Sequence, residues 1–115
     1  MGCSVYSVTI DCSDPAALAR FWAEVLDYEV TFEEGDEVVI EPKGGSGDAL
    51  LFGRVPDEKV VKNRIHLDLT PTDQKAEVER VKALGATEAD IGQSNVPWVV
   101  LADPEGNEFC ILTPR

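Results

Sequence analysis

Arg64-Ile65-His66-Leu67-Asp68-Leu69 alternates polar and apolar residues without a break and carries the chain's single histidine. A period of two is that of a half-buried strand, so Ile65, Leu67 and Leu69 share one face. Arg64, His66, Asp68 and Thr70 then share the other. An imidazole and a carboxylate two positions apart on one side of a strand point into the same space. That space is either a solvated sheet surface or the floor of a site.

Working outward, the strand is followed by Thr70-Pro71-Thr72-Asp73, a helix start with Thr and Asp as capping options. Val78, Val81 and Leu84 form the buried stripe of that helix, and Gly85 is a good stop. Three strands follow at residues 87–91, 98–101 and 108–112. Asp103-Pro104-Glu105-Gly106 has Pro and Gly where a type I turn favours them, so the last two strands form a hairpin. The first half of the chain runs the same way. Residues 4–12 alternate, with Tyr6, Val8 and Ile10 on one face and Ser7, Thr9 and Asp11 on the other. Asp14 caps a helix that opens on Pro15, and Leu18, Phe21, Trp22, Val25 and Leu26 recur at helical spacing. Asp27 ends that helix where Gly would adopt a left-handed turn more easily. Strands at 28–33, 37–41 and 49–55 complete the half.

The two halves superimpose by pattern, with Ser7 and His66, like Asp14 and Asp73, standing 59 positions apart. Each half is a strand, a helix and three strands, one supersecondary unit written twice. The expected fold is α+β, two tandem βαβββ modules making a cupped mixed sheet with helices on its outer face. The 115 residues form a single domain, with module 1 at about 1–56, a linker at about 57–61 and module 2 at about 62–115. A helix covers one sheet face, so Tyr6, Val8, Ile10, Ile65, Leu67 and Leu69 should be helix-facing. Ser7, Thr9, His66 and Asp68 should face the cup.

Composition narrows the function classes. A formal net charge of −12 argues against nucleic acid, because phosphate binding relies on clustered Lys and Arg. The same repulsion argues against an anionic membrane surface, while a cationic ligand would be attracted. No run reaches the length of a membrane span, and the N-terminus lacks a basic-then-apolar signal pattern. The three cysteines, Cys3, Cys12 and Cys110, have no metal-type spacing and read as small core residues of a cytoplasmic protein. Gly44-Gly45-Ser46-Gly47 neither opens a helix nor carries a following Lys, which leaves it a flexible loop rather than a phosphate cradle.

The paired modules resemble the vicinal oxygen chelate superfamily of glyoxalases, bleomycin-resistance proteins and extradiol dioxygenases, and small bacterial glyoxalase-like domain proteins above all. The matching stretches are Asp11-Cys12-Ser13-Asp14-Pro15 with Leu18-Ala19-Arg20-Phe21-Trp22, Lys62-Asn63 running into the His66 strand, and Asp103-Pro104-Glu105-Gly106-Asn107-Glu108-Phe109-Cys110. The resemblance implies that metal-using members hold a divalent cation with four side chains, one from the first and one from the last strand of each module. Carried over, module 2 supplies His66 and Glu108, suited to zinc, nickel, iron or manganese. Module 1 supplies only Ser7 and Ala49, so the metal site is incomplete, and Asp48 would need a one-residue shift that flips the strand's faces.

His66 and Glu108 are the candidate catalytic and metal-ligating residues, able also to move protons on a bound carbonyl compound without a metal. Ser7, Asp68, Trp98 and Cys110 are the candidate ligand contacts. Trp98 is either a stacking wall or a core residue, Trp22 is core, and the Asn63-Arg64 pair positions the strand or an anionic ligand group. The leading function is binding or sequestering a small organic, cationic molecule, similar to bleomycin-resistance proteins. The alternative is a metal-dependent lyase, isomerase or dioxygenase of the glyoxalase type. A third reading is a domain that only associates with partner proteins. The resemblance also implies a homodimer that pairs modules across chains and buries sheet edges.

Overall fold

A computed structural model describes residues 2–115 of the chain. The order of elements is β1 (Ser7–Cys12), α1 (Pro15–Leu26), β2 (Tyr28–Glu34), β3 (Glu37–Pro42), β4 (Ala49–Arg54), β5 (Leu67–Leu69), α2 (Gln74–Leu84), β6 (Thr87–Glu88), β7 (Val99–Ala102) and β8 (Glu108–Ile111). The chain divides after Glu58 into two compact units, the second being Lys59–Arg115. Each unit holds one helix and one four-stranded mixed sheet, ordered β1-β4-β3-β2 in the first and β5-β8-β7-β6 in the second. The fold is α+β, two tandem βαβββ modules.

The register is duplicated along with the order. The parallel pair β1–β4 sets Ser7 against Ala49, and the parallel pair β5–β8 sets Leu67 against Phe109, the same 42-residue step in both. Both helices start as their sequences dictate. The Asp14 carboxylate accepts from the Ala17 N–H at 3.2 Å, and Asp73 from the Ala76 N–H at 3.1 Å. They stop differently: α2 on Gly85 and α1 on Asp27, a non-glycine residue in the left-handed region at φ 57°.

In the first unit, Val38 and Ile40 of β3 and Leu50 and Phe52 of β4 are buried beneath a stripe of α1 made of Leu18, Phe21, Trp22 and Val25. Phe21 meets Trp22 edge to face at 5.3 Å, which places Trp22 in the core as expected. The exposed edge strand β2 carries Glu29, Glu33 and Glu34, charges that blunt pairing with another chain. In the second unit, Phe109, Ile111 and Leu101 are buried on one face of the sheet, and Leu67 and Leu69 lie half-buried beside them. Val78 and Val81 of α2 close this core.

Several residues expected under a helix are not there. Tyr6 is 93% exposed and Ile65 is 80% exposed, because β1 begins only at Ser7 and β5 only at Leu67. The residue that would pair with Ile65 is Asn107, whose backbone is committed to the β7–β8 turn. Alternation assigns a face only while the ladder lasts. Leu84 is exposed at the end of α2, and Cys3 is exposed while Cys12 and Cys110 are buried. β6 stops at Glu88 instead of running to Ile91. Beyond it the Asp90 carboxylate captures the Gly92 N–H, an Asx turn that bends the chain out of the sheet.

Candidate functional site

Strand alternation puts Asp68 and Cys110 side by side on the face of the second sheet opposite to Leu67 and Phe109, as direct partners in the parallel ladder. His66, two residues before Asp68, reaches the same place: its Nε2 lies 3.1 Å from Asp68 Oδ1. The Cys110 thiol faces the same carboxylate across the ladder pair. His66, Asp68 and Cys110 thus offer one donor atom each, all within 4.8 Å of one another. The imidazole and the carboxylate are open to solvent and the thiol is buried. Burial pushes the Cys110 thiol above its ordinary range, and the negative charge of Asp68 pushes it further. Cys110 therefore stays a thiol at neutral pH in the absence of a cation, and is a poor nucleophile.

Glu108 heads the same strand but is engaged elsewhere. Its Oε2 accepts from Lys59 Nζ at 2.9 Å and its Oε1 from the Asn63 N–H at 2.9 Å. Burial alone would raise this carboxyl, but the Asn63 N–H and the Lys59 ammonium outweigh it and hold Glu108 below its ordinary value. The contact belongs to a longer chain of polar groups. Asn63 Nδ2 donates to Asn107 Oδ1 at 3.0 Å, and Asn107 Nδ2 donates to the Asp103 carboxylate at 2.9 Å. Asp103, only 3% exposed, also accepts from the backbone N–H groups of Glu105 and Asn107. The Gly106 N–H donates to the Asp103 carbonyl, closing the expected turn, and Gly106 takes φ 90°. Segment 59–63 is thereby fastened to the β7–β8 hairpin.

The structure brings three of the sequence-derived candidates together: His66, Asp68 and Cys110. Glu108 is placed with Lys59 and Asn63. Ser7 stands in the other unit, at the start of β1, paired with Ala49. Trp98 is 40% exposed just before β7, so it is not a core residue. Asn63 acts through its backbone and side chain to position the chain before His66. Lys59, Asp103 and Asn107 were not legible as partners of the site. Lys59 reads as one charge in a polar linker, and the Asp103-Pro104-Glu105-Gly106 signal announces a turn without saying what its side chains grip.

A family model described as "Glyoxalase-like domain" matches residues 7–112. The chain belongs to the glyoxalase-like domain family. Its fold is that of the glyoxalase/bleomycin resistance/dioxygenase proteins. Solved structures share its fold. A glyoxalase/bleomycin resistance protein/dioxygenase family enzyme from Burkholderia phytofirmans PsJN superposes with a TM-score of 0.72 at 18% identity, over 96% of this chain and 98% of that one. A mutant of the fosfomycin resistance protein FosX from Listeria monocytogenes, complexed with Mn(II) and 1S,2S-dihydroxypropylphosphonic acid, superposes with a TM-score of 0.75 at 15% identity, over 100% of this chain and 93% of that one. Oxidase ChaP-H2 gives 0.69 at 22% identity, over 100% and 96%. No curated protein matches the sequence.

Of the four positions that the resemblance assigns to a metal, module 1 supplies Ser7 and Ala49, and module 2 supplies His66 and a Glu108 that is paired with Lys59. Ser7 and Ala49 are direct ladder partners, one a weak neutral donor and the other no donor at all. Glu108 is already neutralised by an ammonium. His66 pairs instead with Asp68.

Proposed function

We propose that this glyoxalase-like domain binds a small organic molecule against the His66–Asp68 face of its second sheet, in the manner of a binding or sequestering protein. The observation that supports the reading is the capture of Glu108 by Lys59 and Asn63, which leaves the exposed His66–Asp68 pair as the polar anchor. An imidazole donates or accepts and a carboxylate accepts, so the pair takes a ligand bearing both a donor and a basic group. The net charge of −12 favours a cationic ligand and steers it inward. Trp98 offers an exposed indole face for stacking.

The domain is proposed to work in the cytoplasm as a homodimer. Support comes from β1 and β5, both edge strands of their sheets, and from the exposed Val5, Tyr6, Val60, Val61 and Ile65 near their starts. Among the described residues no helix is long and apolar enough to cross a membrane.

A thermal-shift screen of cationic glycopeptides against small ketoaldehydes tests the ligand class. A ligand at 100-fold its dissociation constant adds about 2.7 kcal/mol. The expected result is a raised midpoint with the cationic series that disappears in His66→Ala and Asp68→Asn. A rise with ketoaldehydes alone, or with neither series, overturns the reading. The second reading is a metal-dependent lyase, isomerase or dioxygenase holding its cation with His66 and Glu108, and the Mn(II) complex of the similarly folded FosX favours it. It requires Glu108 to exchange Lys59 for the cation. Calorimetric titration with nickel, zinc, iron and manganese supports it if 1:1 binding vanishes in both His66→Ala and Glu108→Ala.

A further inference from the structure

We infer that His66, Asp68 and Cys110 form a site for one thiophilic divalent cation, Zn(II) in preference to Mn(II), which keeps His66 and takes Asp68 and Cys110, two residues further along β5 and β8, in place of Glu108. The inference goes beyond the ligand-binding reading and does not rest on it. Three donor types converge: an imidazole nitrogen, a carboxylate oxygen and a sulfur, within 4.8 Å of one another. Bonds of about 2.0–2.3 Å in a four-coordinate site place neighbouring donors about 3.3–3.7 Å apart. The donors must therefore close by about 1.5 Å at most. His66 Nε2 and Asp68 Oδ1 are already 3.1 Å apart, and both side chains are solvent-exposed and able to turn. The buried Cys110 is held in place by the ladder pair it makes with Asp68.

Charge supplies the second argument. A bare thiolate at the buried Cys110 beside a carboxylate would be strongly disfavoured, whereas one thiolate, one carboxylate, a neutral imidazole and a dication sum to zero. Binding is balanced by release of the thiol proton: Cys110 S–H and the dication give the sulfur–metal bond and one proton to solvent. Three protein ligands leave a fourth position facing solvent, and sulfur selects zinc, cobalt or iron over manganese, magnesium and calcium. Lys59 is committed to Glu108, and the ammonium that acts on Cys110 is that of Lys62, whose Nζ donates to the Asn63 carbonyl at 3.1 Å rather than to a side chain of the site.

Cobalt(II) titration of the Cys3→Ser protein tests the inference, that substitution removing the one exposed thiol. The expected result is a thiolate-to-cobalt charge-transfer band saturating at one equivalent, with one proton released per cation and bleaching by one equivalent of Zn(II) but not of Mn(II). Adding Cys110→Ser abolishes the band. His66→Gln and Asp68→Asn, both at exposed positions, move the titration midpoint by at least about tenfold. The Lys59→Met/Glu108→Gln double variant, which removes both charges together, leaves it in place. No band at millimolar cobalt, a band that survives Cys110→Ser, a midpoint unmoved in both His66→Gln and Asp68→Asn, or a band lost in the double variant while its circular dichroism stays native overturns the inference.

Discussion

Replacing either member of the Lys59–Glu108 pair should cost far more than a surface ion pair is worth. The two side chains are only 19% and 12% exposed and meet at 2.9 Å. Exposed pairs contribute about 0–1 kcal/mol, while breaking a buried pair from one side costs about 3–5 kcal/mol by stranding a charge. This pair lies nearer the buried limit. Glu108→Gln keeps an oxygen for the Asn63 N–H but strands the Lys59 ammonium, at an expected cost of about 2–3 kcal/mol. Lys59→Met leaves the carboxylate with backbone N–H partners and no counter-charge, at about 2 kcal/mol. The double variant removes both charges and keeps the volume, so its cost should fall short of the sum by about 1–2 kcal/mol. In a domain of this size each kcal/mol moves the midpoint by about 4 °C, so the single variants should melt about 8–12 °C lower. Urea unfolding followed by circular dichroism reads the whole cycle, and 0.5 M salt should change the coupling little. Single variants each within 0.5 kcal/mol of wild type, or a strictly additive double, would refute the reasoning and return Glu108 to the list of available ligands.

Asp103→Ala removes the acceptor for two backbone N–H groups and the Asn107 amide, and should cost about 2–4 kcal/mol by thermal melting, against less than about 0.5 for Asp57→Ala in the polar segment. Because Glu108 is held below its ordinary 4.5, the stability it contributes is complete above that value and is lost as pH falls through the depressed one. Glu108→Gln should therefore flatten the acid limb of a stability–pH curve below about pH 4.5, and an unchanged limb contradicts the assignment. Thiol labelling of native protein with a disulfide reagent should be rapid at Cys3 alone, with Cys12 and Cys110 reacting only on unfolding. Asp27→Gly relieves a left-handed C-cap at φ 57° and gives up only an exposed ion pair with Lys43, so it should raise stability by about 0.5 kcal/mol in urea melts.

The duplicated architecture was legible because every signal for it is local: alternation in the first strand of each module, an acidic N-cap, an apolar helical stripe, and a turn spelled Asp-Pro-Glu-Gly. The one-residue phase of each strand was legible too. It put Ser7 against Ala49 and kept Asp68 and Cys110 on one face. Strand ends were harder. Tyr6 and Ile65 continue the alternation in sequence, but a ladder ends where its partner turns away, and the turn that claims Asn107 lies some forty residues downstream. The site was half visible. His66 and Asp68 could be paired by spacing, whereas the diversion of Glu108 depends on Lys59, a contact across 49 residues that no periodicity encodes. Trp98 failed as a core residue for a related reason, since it precedes β7 rather than belonging to it.

The single histidine makes the central claim directly measurable. Its imidazole resonances can be followed by NMR in wild type and in Glu108→Gln while the best stabilising ligand from the screen is added. A site anchored on His66 and Asp68, with Glu108 serving the fold, predicts that the ligand shifts the His66 signals alike in both proteins. Signals that stay put on binding, or a response present in wild type and absent in Glu108→Gln, would contradict it.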